Sequence, residues 1–139
     1  MPGRSVPSRR TLLKGAAVAP VAAAGAAACS PGATSASAPT EPVELGAESE
    51  VVRGGAKLYR DHNVVVSRDG AGTLKAYSSI CTHAGCAINK LEGTELVCPC
   101  HGSMFDATTG KVLRAPATEP LQPLTVETKN GKLVAGPQA

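Results

Sequence analysis

Four of the chain's five cysteines and two of its three histidines fall between Cys81 and His101. They read Cys81-Thr82-His83-Ala84-Gly85-Cys86 and Cys98-Pro99-Cys100-His101-Gly102-Ser103. So dense a set of soft ligands in two short Gly- and Pro-punctuated loops calls for a metal, a disulfide or both. The rest of the chain needs such a staple. With 139 residues, no Trp and three aromatics (Tyr59, Tyr77 and Phe105), it supports one domain at most, with a modest core of Val, Leu, Ile and Ala. Small cores of that kind are usually held by metals or cross-links.

From Val43 onward, apolar pieces of four to six residues are cut by turn signals. Lys57–Arg60 and Val64–Ser67 flank Asp61-His62-Asn63, a hairpin loop by composition. Asp69-Gly70 and Gly72 precede the run 73–77, and Glu92-Gly93 separates the runs 87–91 and 95–98. Leu124-Thr125-Val126-Glu127 alternates, and Asn130-Gly131 turns the chain into the run 132–135. Asn-Gly between two strand-like runs is a strong hairpin signal. No sustained 3.6-residue period follows residue 43. The expected domain, 43–139, is all-β, a small antiparallel sandwich or barrel.

The two loops match, at every position, the C-x-H-x-G-C and C-P-C-H-G-S signature of the Rieske family, and the wider resemblance covers roughly residues 43–136. The resemblance implies a two-loop cluster-binding subdomain holding one 2Fe–2S cluster. Cys81 and Cys98 would bind one iron, and His83 and His101 the other. The oxidised core carries two positive charges, so two thiolates bring it to neutrality where four would leave a dianion. An electron enters the neutral site more easily, and the histidine pair thereby raises the potential by hundreds of millivolts. A disulfide between Cys86 and Cys100 is likewise implied, as in the Rieske subunits of cytochrome bc complexes and arsenite oxidase. Gly85 and Gly102 let backbone approach the cluster, and Ser103 matches a serine whose hydroxyl bonds to a bridging sulfide. Phe105 stands where high-potential members carry a tyrosine, and one donor is thereby lost. The segment Ala115-Pro116-Ala117, with Pro120 and Pro123, resembles the proline-bearing stretch that covers the cluster from a third side.

Other chemistries fit less of the pattern. C-x-H and C-x-x-H could supply four zinc ligands, but that leaves Cys86, Cys100 and the C-P-C-H-G-S string without a task. Two bare disulfides leave both histidines without one. An oxygenase needs a further iron bound by two histidines and a carboxylate, and only His62 remains, in a predicted turn. No Ser–His–Asp set, phosphate loop or catalytic carboxylate pair stands out. The chain reads as an electron-transfer component, not a complete enzyme, with a redox protein or a quinol as its partner.

The first forty residues read as address and tether. Ser8-Arg9-Arg10-Thr11-Leu12-Leu13-Lys14 resembles the twin-arginine export motif, with Arg9 and Arg10 as its pair. The alanine-rich run from Gly15 to Ala28 would span about 21 Å as a helix, short of the roughly 30 Å hydrocarbon core. Residues 1–28 are therefore read as a signal peptide. Ala26-Ala27-Ala28-Cys29 resembles a lipobox, with Cys29 as the lipidated residue; plain cleavage after Ala28 is the alternative. Residues 29–42 are read as a disordered tether, since 30–42 contain only Ser, Pro, Gly, Ala, Thr and Glu. The formal charge of +3 belongs to the leader: after residue 28, ten Lys and Arg face eleven Asp and Glu. No basic face for nucleic acid is expected. The predicted location is the cell surface or periplasm, with peripheral membrane attachment through Cys29. Cytochrome bc Rieske subunits keep a spanning anchor and a larger insertion, so a bc-type subunit is the second reading.

Overall fold

The computed structural model describes residues 36–139; the export motif at Arg9 and Arg10 and the lipobox at Cys29 lie outside the described residues. Ten short strands follow in order: β1 Val43–Ala47, β2 Gly55–Tyr59, β3 Val64–Arg68, β4 Leu74–Ser78, β5 Lys90–Glu92, β6 Glu95–Val97, β7 Met104–Asp106, β8 Val112–Arg114, β9 Pro123–Lys129 and β10 Lys132–Gly136. Two single 3-10 turns, Glu48–Glu50 and Arg60–His62, are the only helical pieces among the described residues. No helix there is long and apolar enough to cross a membrane.

The turns fall where backbone chemistry demands them. Asn130 and Gly131 both have positive φ, 52° and 75°, the pair a type I′ turn requires, and Lys129 faces Lys132 across it. Asn63 takes the left-handed conformation (φ 53°) that ends the Arg60–His62 turn and starts β3. Between β3 and β4, the Thr73 N–H donates to Asp69 Oδ1 at 2.8 Å. The run 87–91 yields a strand only over Lys90–Glu92, because Ala87 is spent on a single bridge to Ile80. Strands β7 and β8, three residues each, have no signal in the alternation pattern.

All strand pairs are antiparallel, and they form two sheets: six strands in the order β1-β10-β9-β4-β3-β2, and four in the order β5-β6-β7-β8. β4 and β9 are neighbours in the large sheet although residues 79–122 separate them in sequence. The small sheet and both ligand-rich loops are thus one insertion between two adjacent strands.

β3 sits at the junction of two cores. Val64, Val65 and Val66 have no exposed surface, and successive side chains of a strand point to opposite faces. Val64 and Val66 join Val51, Tyr59, Ala76, Leu124, Leu133 and Ala135 inside the large sheet. Val65 points the other way, into a second core with Ile88, Leu96, Phe105, Leu121 and the sulfur-bearing Cys81 and Cys98. A continuous valine run is what a strand buried on both faces requires.

The composition of 30–42 predicts a stretch with no fixed path. Its last part instead lies against the Asp61–Asn63 turn, where Asn63 Nδ2 donates to the Ser37 carbonyl at 2.9 Å. The signal for this is a side chain 26 residues away, and composition cannot carry it.

Candidate metal centre

Each ligand-rich loop is closed by its own backbone, and by the same bonds. The Cys81 N–H donates to the Cys86 carbonyl (2.8 Å) while the Gly85 N–H donates to the Cys81 carbonyl (2.9 Å). Seventeen residues on, Cys98 N–H bonds to the Ser103 carbonyl (2.9 Å) and Gly102 N–H to the Cys98 carbonyl (3.1 Å). The offsets from each leading cysteine match, so the two loops are near-copies as backbone. Gly85 and Gly102 occupy the corresponding positive-φ positions, 72° and 77°. A Cβ at either would meet no protein atom, so these glycines are demanded by φ and not by crowding.

Side chains sort by depth. Cys81 and Cys98 are free thiols, 2% and 1% exposed. His83 and His101 are exposed, with ring centroids 4.8 Å apart in an edge-to-face arrangement at 83°. Burial pushes the Cys98 thiol up, and the neighbouring Cys81 adds to this. The N–H groups of Cys100 and His101, aimed at the same sulfur, work in the opposite direction. The loops are joined covalently by the Cys86–Cys100 disulfide.

The donors gather as two pairs, thiols beneath and imidazoles above. Among the described residues, the tight group of three or more potential ligands is a different one: the sulfurs of Cys86, Cys98 and Cys100, within 4.8 Å of one another. Two of those are bonded to each other and cannot ligate. Tetrahedral zinc needs four donors around one point. A buried thiol pair and an exposed imidazole pair suit a two-iron core, with one pair for each iron. The donor set and the N–H groups directed at the Cys98 sulfur fit such a cluster.

The proline-bearing segment is tied to both loops. Thr82 Oγ1 donates to the Glu119 carbonyl (2.7 Å), and the Ala117 N–H donates to Ser103 Oγ (3.0 Å). Ser103 is fully buried, and because its oxygen accepts from Ala117, its hydroxyl proton stays free for another acceptor. The Ala115–Pro116 bond is cis. Sequence reasoning missed Thr82; a hydroxyl between Cys and His is the only trace, and its partner lies 37 residues on. It also missed Gly110, which packs on the Tyr77 ring so closely that a Cβ would come within 2.7 Å. Phe105 is fully buried beside Leu96 of β6, in the same core as both free thiols. His62 sits at the Asp61–Asn63 turn and takes no part in the centre.

A two-sheet antiparallel domain with paired Cys/His loops and a cross-loop disulfide defines a class, the small β proteins built around a two-iron cluster. The chain belongs to the Rieske [2Fe-2S] domain family, whose model matches residues 41–128. Over 93 residues, 65% of this chain and 50% of the relative, it is 38% identical to the cytochrome b6-f complex iron-sulfur subunit of Chlorobaculum tepidum. Over 85 residues, 54% of this chain and 21% of the relative, it is 42% identical to the cytochrome bc1 complex Rieske iron-sulfur subunit of Corynebacterium diphtheriae. The chain thus spans half or less of the length of these relatives. Among solved structures, the plasma membrane Rieske protein PetC3 of Synechocystis PCC 6803 superposes with a TM-score of 0.51 at 31% identity, covering 67% of this chain and 97% of that one. The cofactor of this chain is one Rieske-type 2Fe–2S cluster.

Proposed function

We propose that this chain is an exported electron-transfer protein, acting as a one-electron carrier or as the redox subunit of a membrane-associated oxidoreductase. Cys81 and Cys98 would hold the inner iron, and His83 and His101 the outer one. The observation that carries this reading is the sorting of donors by depth, with buried thiols below an exposed imidazole pair. When bound, such a cluster accepts and releases single electrons.

The chain's residues do the rest. The apolar core around Cys81 and Cys98 keeps water from the inner side, while His83 and His101 bring the redox unit to the surface, where a partner can approach. The N–H groups of Cys100 and His101 favour negative charge on the Cys98 sulfur, which grows on reduction. The disulfide and the ties from Thr82 and Ser103 hold the three segments in register with little reorganisation.

The partner is a redox protein or a quinol. The similarity to cytochrome b6-f and bc1 iron-sulfur subunits supports a bc-type complex as the second reading. Arg9-Arg10 and the Ala26–Cys29 stretch support twin-arginine export and a lipid at Cys29, with the domain at the membrane periphery. A mature charge near −1 does not support nucleic acid as a partner.

The test is spectroscopic. The purified full chain should be coloured, contain two irons and two sulfides, and on reduction give a paramagnetic signal coupled to two imidazole nitrogens. His83→Ala and His101→Ala should each remove one of those couplings or the cluster. A colourless chain with stoichiometric zinc would overturn the reading.

A further inference from the structure

Three sulfurs, those of Cys86, Cys98 and Cys100, lie within 4.8 Å of one another, and two of them form a disulfide. The third is a free thiol. A thiolate within reach of a disulfide is the starting arrangement for exchange, in which attack on one sulfur expels the other. We infer that Cys98 is a nucleophile held against the Cys86–Cys100 bond, and that in the chain before cluster loading it exchanges with that bond to give Cys86–Cys98 and a free Cys100. The inference rests on the reading above in one respect, that Cys98 is an iron ligand in the loaded protein and its sulfur is then committed.

The step balances without an oxidant. Cys98 Sγ gives up its proton to solvent, its electron pair forms the new bond to Cys86 Sγ, and the old S–S pair leaves on Cys100 Sγ, which takes up a proton. Cys86 is the favoured target for two reasons. Attack on Cys100 would close a small ring across Cys98-Pro99-Cys100, where proline fixes φ. Attack on Cys86 keeps a bond between the two loops and expels the sulfur of Cys100, an exposed residue that water can solvate. Uncatalysed disulfide rearrangement takes minutes to hours, and the exchange is expected on that scale.

The product is a closed site. With Cys98 in a disulfide, one ligand sulfur is lost, and the freed Cys100 stands at the surface. The order of assembly follows: the cluster must occupy Cys98 before the disulfide forms, which places loading in a reducing compartment and disulfide formation after it.

The experiment starts from the loaded full chain under argon. Iron is withdrawn with a chelator, the protein is held for timed intervals, and free thiols are trapped by alkylation and placed by tandem mass spectrometry, with far-ultraviolet circular dichroism recorded before each trap. The expected result is loss of label from Cys98, its appearance on Cys100, and a Cys86–Cys98 cross-link in a chain that retains its β signal. Cys98→Ser and Cys81→Ser each lack a proposed ligand, so they are purified without iron and mapped directly: Cys98→Ser should hold Cys86–Cys100, and Cys81→Ser should hold Cys86–Cys98 with Cys100 free. Persistence of Cys86–Cys100 in the parent overturns the inference. So does equal scrambling in Cys98→Ser, or scrambling that appears only with loss of the β signal. Iron content separates the two claims: a full complement in Cys98→Ser sinks the ligand assignment and leaves the labelling result standing by itself.

Discussion

At the scale of residues, tuning of this centre comes down to hydrogen atoms near sulfur. Phe105 fills a fully buried position in the core that also holds Cys81 and Cys98, and it brings no donor. Phe105→Tyr would add a hydroxyl at the same ring position. A hydrogen bond worth about 1 kcal/mol more to the reduced state raises a one-electron potential by about 40 mV. The midpoint of Phe105→Tyr, measured by redox titration of the visible spectrum, should therefore rise by tens of millivolts; an unchanged or lowered midpoint would show that the new hydroxyl does not reach a ligand sulfur. Ser103 illustrates what sequence can and cannot tell. Its place after His101-Gly102 marks it as part of the centre, yet its acceptance of the Ala117 N–H depends on how the chain returns fourteen residues later.

At the scale of elements, the β7–β8 connection is an acid-sensitive joint. Asp106 ends β7; its carboxylate accepts from the Thr108 N–H and hydroxyl, each at 2.7 Å, and its carbonyl accepts from the Gly110 N–H. Burial pushes this carboxyl up, but the bonds from Thr108 and Thr109 outweigh it and hold Asp106 below the usual carboxylate range. A depressed carboxyl contributes stability that is present above its unfolded value, about 3.9, and lost as pH falls through the folded one. Denaturant unfolding from pH 7 to pH 3 should show that loss. Asp106→Asn should be about 1 kcal/mol less stable at pH 7 and flatter below pH 4; a parallel decline in both proteins would put the acid sensitivity elsewhere. The joint was invisible in the sequence because β7 and β8 are strands by pairing alone. Met104-Phe105-Asp106 and Val112-Leu113-Arg114 are too short to alternate, whereas Asn130-Gly131 could be read at once, since a type I′ turn makes its demand locally.

At the scale of the whole molecule, the two cores share a wall. Val64 and Val66 serve one and Val65 the other, so the small sheet cannot loosen without exposing one face of β3. Heating the loaded protein should accordingly bleach the visible spectrum and unfold the sheets in one transition. Bleaching many degrees before the far-ultraviolet change would mean that the cluster subdomain melts separately. The valine run and the hairpins made the all-β class legible, and the ligand spacing made the centre legible. The insertion of the small sheet between β4 and β9 was not, because two strands separated by residues 79–122 leave no local sign that they pair.

That insertion has a mechanical consequence. The first and last strands, β1 and β10, are hydrogen-bonded to each other within the large sheet, and Val43 faces Ala135. Tension applied to the chain ahead of Val43 is met first by the Ser37–Asn63 contact and then by the β1–β10 ladder, which opens bond by bond from its Val43–Ala135 end. Tension applied beyond Gly136 loads the same ladder from its other partner. The path of force between the two ends therefore runs through β1 and β10 and bypasses residues 79–122 altogether. A domain pulled by its ends, whether by a membrane attachment or by a partner, would carry the load in one sheet while the electron site rides unloaded in the other.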